Sequence, residues 1–588
     1  MQQQKRIPAG FIAIFLAAVY CAMLICQAVQ ITPKSAEKSS GVSYTMDYPE
    51  ILFDDSSVHT IQITIDDSQI SDMTKNALLK ELHICDVTID GETVANAGIR
   101  TKGNSSLLHA ICVDEARFSY MLEFDAFDGS QRYHGLEAIS LNSNYIDTSY
   151  MRNHLALEMY REMGIASPLS AYAAVYLNGE YAGLYEMVEP YGEAFVIRNF
   201  GAEYGQLYKP EHFAASDILT GTSDSINGAN IELLSEQGFS STDIGELLQL
   251  IDWDTDDVAL VYQWENLNDY DVIWDNAYFS IGKQDKTRVV NAIRNLNEGN
   301  YESALDTDEV LRYLAVSSFV LNADSYYTRM AHNYGLYEQD GLLSVLPWDN
   351  DVSLGICAAG VSTNNETEWF NLSIDIPVFD VSAEERPLVS ILNNETYREK
   401  YYAYLDKILN DYVDNGRLNS RIDEREEMLR PWIDATSDSS LTDGRSEQSV
   451  EDLREFVSLR SESIRRQLNG DKTPVDTAAY TGADSLSSLS AIANGLDKIA
   501  PQINIGGIIQ YGTITDWATL IKAAKPLIQE VKGTPVSNSI DLTTLKSAIT
   551  VLLLQAVKTL LLPTLSVITI IAALIFVRRY GKGGRRHV

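Results

Sequence analysis

Residues 318–355, SFVLNADSYYTRMAHNYGLYEQDGLLSVLPWDNDVSLG, decide how the rest of the chain is read. The stretch opens as the end of an apolar helix that breaks at Asn322-Ala-Asp324. A polar loop leads to Asn333, two short extended runs come next, and the stretch closes on the acidic turn Asp349-Asn350-Asp351 and Gly355. One carboxylate therefore stands at a helix end, an amide follows nine residues later, and a carboxylate pair caps a strand. Hard oxygens in that order suit magnesium, which takes a few protein ligands and leaves the rest to water and phosphate. Phosphoryl transfer needs one further carboxylate to orient or deprotonate the attacking hydroxyl. Asp and Asn also gather at turns for conformational reasons alone. A calcium loop does not fit: counting from Asp349, the sixth position is Leu354 where Gly is required, and the twelfth is Gly360 where Glu is required. The run Asp252, Asp254, Asp256 fails the same count at Asp257 and Gln263.

PWDNDVSLG is similar to the P-W-D-x-D-x-x-x-G signature of the CotH kinase family, atypical protein kinases with a diverged kinase-like fold. Asn322, Asp324, His332 and Asn333 also resemble that family's pattern, and the resemblance runs over residues 45–470. It implies an α+β, two-lobed kinase-like fold, with a β-rich N-lobe over 45–210 and a mostly helical C-lobe over 211–470. It implies ATP and Mg²⁺ (or Mn²⁺) as cofactors, and as substrate a Ser or Thr hydroxyl of a cell-surface or spore-coat protein. Asp324 would then be the catalytic carboxylate. Asp349 would be the metal-binding residue, with Asp351 and Asn333 as further ligands. The spacing from Asp324 to Asn333 is nine residues, longer than the five of ordinary kinases.

On the phosphate side there is no G-x-G-x-x-G and no Walker A sequence. Arg100, Lys102, Gly103, Ser105 and Ser106 resemble the family's R-x-K-G-x-S-S motif, and two cations, a glycine and hydroxyls suit anionic oxygens. Arg117 stands where the family pattern has Lys, Glu189 lies in YEMVEP, and Lys209 lies in QLYKP. The alternative is a non-catalytic surface or coat-assembly module that keeps the kinase-like fold.

The composition sets the bounds. A chain of 588 residues with 45% hydrophobic content can bury a sizeable core. A net charge of −37 argues against a nucleic-acid partner. Of five cysteines, Cys21 and Cys26 lie in an apolar run, and Cys85, Cys112 and Cys357 show no zinc spacing. A Cys85–Cys112 disulfide is one pairing the sequence allows, but no disulfide framework carries the fold.

Residues 11–29, FIAIFLAAVYCAMLICQAV, suit a signal peptide or an N-terminal anchor within a leader over 1–30, and the basic flank before them predicts export of the chain beyond residue 30. The segment 59–66 alternates like a strand, and Asp90-Gly91 and Asn178-Gly179 predict hairpins. Residues 97–106 read as a strand running into a basic loop, and 117–124 as another strand. A helix is expected over 147–163 with Asp147 as its N-cap. A second is expected from Asp306, with Glu309 as a capping-box partner. Residues 385–468 read as mostly helical, 471–558 as a Ser/Thr/Ala/Gly-rich stalk, 559–577 as a transmembrane helix, and 578–588 as a basic cytoplasmic tail. The expected location is the cell membrane, with the large domain outside the cytoplasm.

Overall fold

The protein is described by a computed structural model covering residues 46–112, 117–211, 258–328, 331–356, 366–379, 381–435, 445–477 and 480. Both long apolar runs, the basic tail and most of the expected stalk lie outside the described residues. Among the described residues no helix is long and apolar enough to cross a membrane. The architecture is α+β, as expected, and contains one large sheet.

That sheet closes on itself. Strands β1 (Val58–Thr64), β2 (His83–Ile89), β3 (Glu92–Lys102), β4 (Ser119–Glu123), β5 (Ala138–Asn142), β6 (Ser170–Leu177) and β7 (Glu180–Val188) form a barrel in the order β1-β2-β3-β4-β5-β7-β6. Parallel pairing of β1 with β6 makes the closure, Val58 opposite Tyr172 and Ile63 opposite Leu177. Both expected hairpins form. Asp90 and Gly91 have φ of 48° and 92°, Asn178 and Gly179 of 49° and 86°, the two positive values that a type I′ turn needs. Alternate residues such as Ile61, Val87, Ile99, Leu122, Leu141, Val175 and Met187 fill the interior. Because side chains alternate along a strand, Arg100 and Lys102 of β3 and Glu186 of β7 fall on the outer wall. Tyr172 and Leu184, on the same outward parity, pack into the core of the helical lobe. Cys85 lies inside the barrel as a free thiol, so the Cys85–Cys112 disulfide does not form.

The helical lobe contains α2 (Arg152–Glu162), α4 (Lys283–Asn297), α5 (Thr307–Val320), α6 (Glu395–Ile408), α7 (Arg417–Asp434) and α8 (Arg445–Leu468). The short helices α1 (Ser105–Cys112) and α3 (Glu193–Phe200) follow β3 and β7. A small antiparallel sheet of β8 (Gln206–Tyr208), β9 (Tyr334–Gln339) and β10 (Leu342–Pro347), in the order β10-β9-β8, lies beside α5. Packing continues past residue 470: the Tyr480 hydroxyl donates to Gly355 O at 2.7 Å, and its ring stacks edge-on against Phe370.

Three local expectations are corrected. The helix expected over 147–163 begins at Arg152, because Asp147 caps it from a preceding loop, accepting from the N–H of Ser149 at 3.0 Å and of Arg152 at 2.8 Å. Asp306 is an N-cap, accepting the Glu309 N–H at 3.1 Å, but Glu309 does not reciprocate. Its side chain turns into the core, where Oε2 accepts the Val345 N–H at 3.3 Å. The basic loop after β3 is short: Gly103 turns the chain at a φ of 92°, and α1 starts at Ser105 with Leu107, Ala110 and Ile111 buried.

Candidate active site

Helix α5 ends at Leu321, whose φ of 49° is left-handed. The turn throws Asn322 back onto the acidic turn that follows β10. Its amide nitrogen donates to Asp349 O at 2.8 Å, and its Oδ1 accepts the Asp324 N–H at 2.9 Å. Two backbone bonds lace the segments together, Ala323 N–H to Val352 O at 3.1 Å and Leu354 N–H to Val320 O at 2.7 Å. The buried Asn322 therefore fixes Asp324 relative to Asp349. Asn333 donates through Nδ2 to Asp324 Oδ2 at 3.0 Å, which joins two of the residues singled out in the sequence.

Leu321, Ala331, Asn333, Asp349 and Leu354 all have positive φ, between 46° and 52°. Side chains with a Cβ rarely adopt that conformation, and it persists only where surrounding bonds over-determine it. Such concentrations of backbone strain are a feature of functional loops.

The carboxylates here repel one another. Burial pushes the Asp351 carboxyl well above its usual range, and the charges of Asp349, Asp324, Asp147 and Glu186 push it further. Asp324 is raised too, by burial first, with Asp349 and Glu211 adding and His332 and Lys209 opposing. Carboxylates assembled at such electrostatic cost fit a hard divalent cation, whose charge would reverse the repulsion. Asp349, Asp351 and the Asn333 carbonyl oxygen have the donor chemistry for it.

The barrel wall supplies the opposite face. Burial lowers the Lys102 ammonium, opposed most strongly by Asp349 and then by Asp351 and Glu186. Lys102 Nζ donates to Asn142 Oδ1, and Asn142 lies opposite Glu186 across β5 and β7. Glu186 is buried, and its carboxyl is pushed up to about 8, by burial first, with Asp147 and Asp349 adding and the Asn153 hydrogen bond opposing. Asn153, at the start of α2, links the lobes: Nδ2 donates to Glu186 Oε1 at 2.8 Å, and Oδ1 accepts the Asn350 N–H at 2.8 Å.

The remaining cations gather at the rim. Arg100 pairs with Glu123 at 2.6 Å. Gly103 turns the chain into α1 at a φ of 92°, which favours glycine, and a Cβ there would also force the Ser106 hydroxyl, 2.0 Å away, to shift. Ser105 opens that helix, whose first N–H groups are a source of anion-binding donors. Lys209 pairs with Glu211 at 2.6 Å, and its ammonium lies 5.9 Å from the centre of the Trp348 ring, beside Asp349.

Two further residues expected here, Arg117 and Glu189, make their described contacts with the surrounding fold. Arg117 donates to Leu184 O at 2.7 Å and Ser143 O at 2.9 Å, and lies over the Tyr185 ring at 5.3 Å. It rests against Gly183, where a Cβ would meet its guanidinium at 2.4 Å. Glu189 accepts from Arg198, Tyr48 and the Leu169 N–H, holding the start of the described chain to α3. Both are engaged in holding the fold together. The acid of β7 that faces the cluster is Glu186, three residues earlier. Strand parity was the signal for it, since Tyr185 and Met187 point into the barrel. Lys80, Asn142, Asn153 and Glu211 carry no comparable signal.

A separate cavity of about 740 Å³ is lined by Asp55, Glu158, Arg161, Glu162, Arg417 and Arg421, among others. Asp55, His154 and Glu158 have metal-ligand spacing there. Arg421 already pairs with both carboxylates at 2.9 Å, and Arg425 pairs with Asp55 at 2.5 Å, so guanidinium groups fill the cation's role.

Comparison with known proteins bears on the cluster around Asp324. The family profile described as CotH kinase protein matches residues 99–464, which is well over half of the chain and includes every residue of the cluster except Lys80. The chain is also 22% identical over 347 residues to the inner spore coat protein H of Bacillus subtilis (strain 168), an alignment covering 58% of this chain and 82% of that protein.

Proposed function

The chain belongs to the CotH kinase protein family, and we propose on that basis that it is an atypical protein kinase moving the γ-phosphate of ATP to a Ser or Thr hydroxyl of a surface or coat protein. The observation that carries this reading is the convergence of Lys102, from the barrel wall, with Asp324, Asp349 and Asp351, from the ends of α5 and β10. Asp324 accepts the proton of the acceptor hydroxyl as its oxygen bonds to phosphorus and the bond to the nucleotide's bridging oxygen breaks. Asn333 holds Asp324 by its amide nitrogen, and its carbonyl oxygen would be available as a further metal ligand. Asp349 and Asp351 would be the carboxylate ligands of Mg²⁺ or Mn²⁺, which would supply positive charge to neutralise the phosphates. Lys102, Arg100, Lys209 and the Gly103-Asn104-Ser105-Ser106 entry to α1 hold the phosphates. In this reading Arg117 and Glu189 support the fold around the site through their bonds to Leu184, Ser143, Arg198 and Tyr48.

The decisive experiment is Asp324→Asn. Asparagine keeps the shape and cannot take the proton, so transfer should fall roughly 10²- to 10⁴-fold while nucleotide affinity and melting temperature stay close to wild type. Transfer undiminished in Asp324→Asn, or none by wild-type protein with Mg²⁺–ATP, would sink the reading. A second reading, a coat-assembly module without transfer, draws on the similarity to a protein named for the inner spore coat. It predicts that Asp324→Asn leaves assembly of the partner coat unchanged.

The proposal includes export and anchoring through residues 559–577, from the basic residues flanking each apolar run. Protease added to intact cells should then remove the large domain and spare a tag after residue 588. A protected large domain would overturn it.

A further inference from the structure

We propose that Lys80, Lys209 and His332 form a subsite for a phosphate group, and that the Glu211 carboxylate is its resident counterion, displaced when the phosphate enters. This deepens the kinase reading, on which it rests for the carrier of the phosphate but not for the existence of the subsite.

Glu211 sits at the centre of a chain of contacts. Its Oε2 accepts from Lys209 Nζ at 2.6 Å, and its Oε1 lies 3.7 Å from His332 Nε2. The same Oε1 accepts from Asn104 Nδ2 at 2.8 Å, and Asn104 Oδ1 accepts from Lys80 Nζ at 3.1 Å. The Lys209, Glu211 and His332 side chains are 16%, 20% and 17% exposed, so the group is largely withdrawn from water. Glu211 bonds Lys209 directly and reaches Lys80 through Asn104, with Arg100 and Lys102 in the surrounding field. Arg100 and Lys102 have acids of their own, Glu123 for the first and Asp349, Asp351 and Glu186 for the second, so Lys80 and Lys209 share the Glu211 carboxylate between them.

Lys80 shows the consequence most directly. Burial brings its ammonium down to about 8, Arg100, Lys102 and Lys209 add to that, and Glu211 opposes it. It also occupies a left-handed conformation, φ 51°, at the end of the single turn Ala77–Leu79. An ordinary surface lysine needs neither condition. A phosphate brings up to two negative charges and three acceptor oxygens, against one charge and two oxygens from Glu211. It therefore takes Lys209 from Glu211, gives Lys80 a charged acceptor in place of the Asn104 amide oxygen, and leaves Glu211 to water. Asp324 lies within the electrostatic reach of Glu211, Lys209 and His332, which sets the subsite beside the reacting carboxylate. Lys80 precedes the residues matched by the family profile, so its assignment comes from the geometry alone.

The test is calorimetric binding of pyrophosphate, in EDTA, to the full chain and its variants. Wild-type protein should bind. Lys80→Met should weaken binding roughly tenfold or more, the loss of one charge-assisted bond. Its unliganded melting temperature should rise, because a partly buried cation crowded by others has been removed, and that rise excludes misfolding as the cause. Glu211→Gln should tighten binding, since the competing charge is gone. No binding by wild type, unchanged affinity in Lys80→Met, or weaker binding in Glu211→Gln would each overturn the proposal, the last making Glu211 a prop for Lys209. Mg²⁺–ATP is expected to compete with pyrophosphate. Competition by a phosphoserine peptide alone would instead assign the phosphate to the protein substrate. Pyrophosphate binding without any phosphoryl transfer would remove the kinase reading and leave the subsite standing.

Discussion

Asn153 and Glu186 are joined by a hydrogen bond of 2.8 Å from the first turn of α2 to the outer wall of the barrel. The same Asn153 accepts the Asn350 N–H at 2.8 Å, between the two acidic residues of the turn after β10. One side chain thus sets the spacing between the wall that carries Lys102 and the turn that carries Asp349 and Asp351. Both its polar atoms are used, and it is buried.

Asn153 is therefore a positioning residue, and Asn153→Ala should raise the metal concentration needed for half-maximal activity. Residues that orient ligands typically cost about 10- to 100-fold in metal affinity or activity when removed. Asn153→Gln, which keeps both polar atoms at longer reach, should recover part of the loss. A melting temperature lowered without any change in metal dependence would show that Asn153 serves the fold alone.

Asp349→Ala should abolish the dependence of nucleotide binding on Mg²⁺ or Mn²⁺. Removing one of few protein oxygens leaves a hard cation held mostly by phosphate and water. Titrating nucleotide with and without metal, on wild type and variant, measures it. Equal metal dependence in the two proteins would show that the cation lies elsewhere.

Glu309 predicts a pH dependence of stability unrelated to activity. Burial holds its carboxyl up to about 8, against a usual value of 4.5. The folded protein keeps a proton there that the unfolded chain releases above about pH 4.5. The associated stability is fully present below that value and is lost as pH rises through 8. Glu309→Gln keeps an acceptor for the Val345 N–H and cannot ionise. Its melting temperature should exceed wild type by at least ~2 °C at pH 8.5, with little difference at pH 5. The same difference at both pH values would refute the assignment.

Arg117→Lys separates fold from site. A lysine cannot reach Leu184 O and Ser143 O together or lie flat over Tyr185, so a loss of about 1–3 kcal/mol in stability is expected. Nucleotide affinity should be unchanged. A variant of wild-type stability with altered ATP affinity would return Arg117 to the phosphate side.

Much of this was legible in the residues themselves. Strand alternation, the two Asx-Gly turns and the Asp306 N-cap are short-range effects, decided by neighbours a few positions apart, and each gave its element correctly. Asp324, Asn333, Asp349 and Asp351 lie in one stretch and could be chosen from its polar spacing together with its family resemblance, and folding brings Asn333 onto Asp324. Barrel closure could not be read, because it depends on the parallel pairing of β1 with β6, which no local pattern encodes. The choice between Glu186 and Glu189 came from which face of β7 meets the helical lobe. Lys80, Asn153 and Glu211 are unremarkable in sequence, and their roles come from partners far along the chain. Local propensity sets elements and loops. Which charged groups end up sharing one water-poor space is decided only by how the barrel wall packs against the helices, since burial turns ordinary side chains into interacting ones.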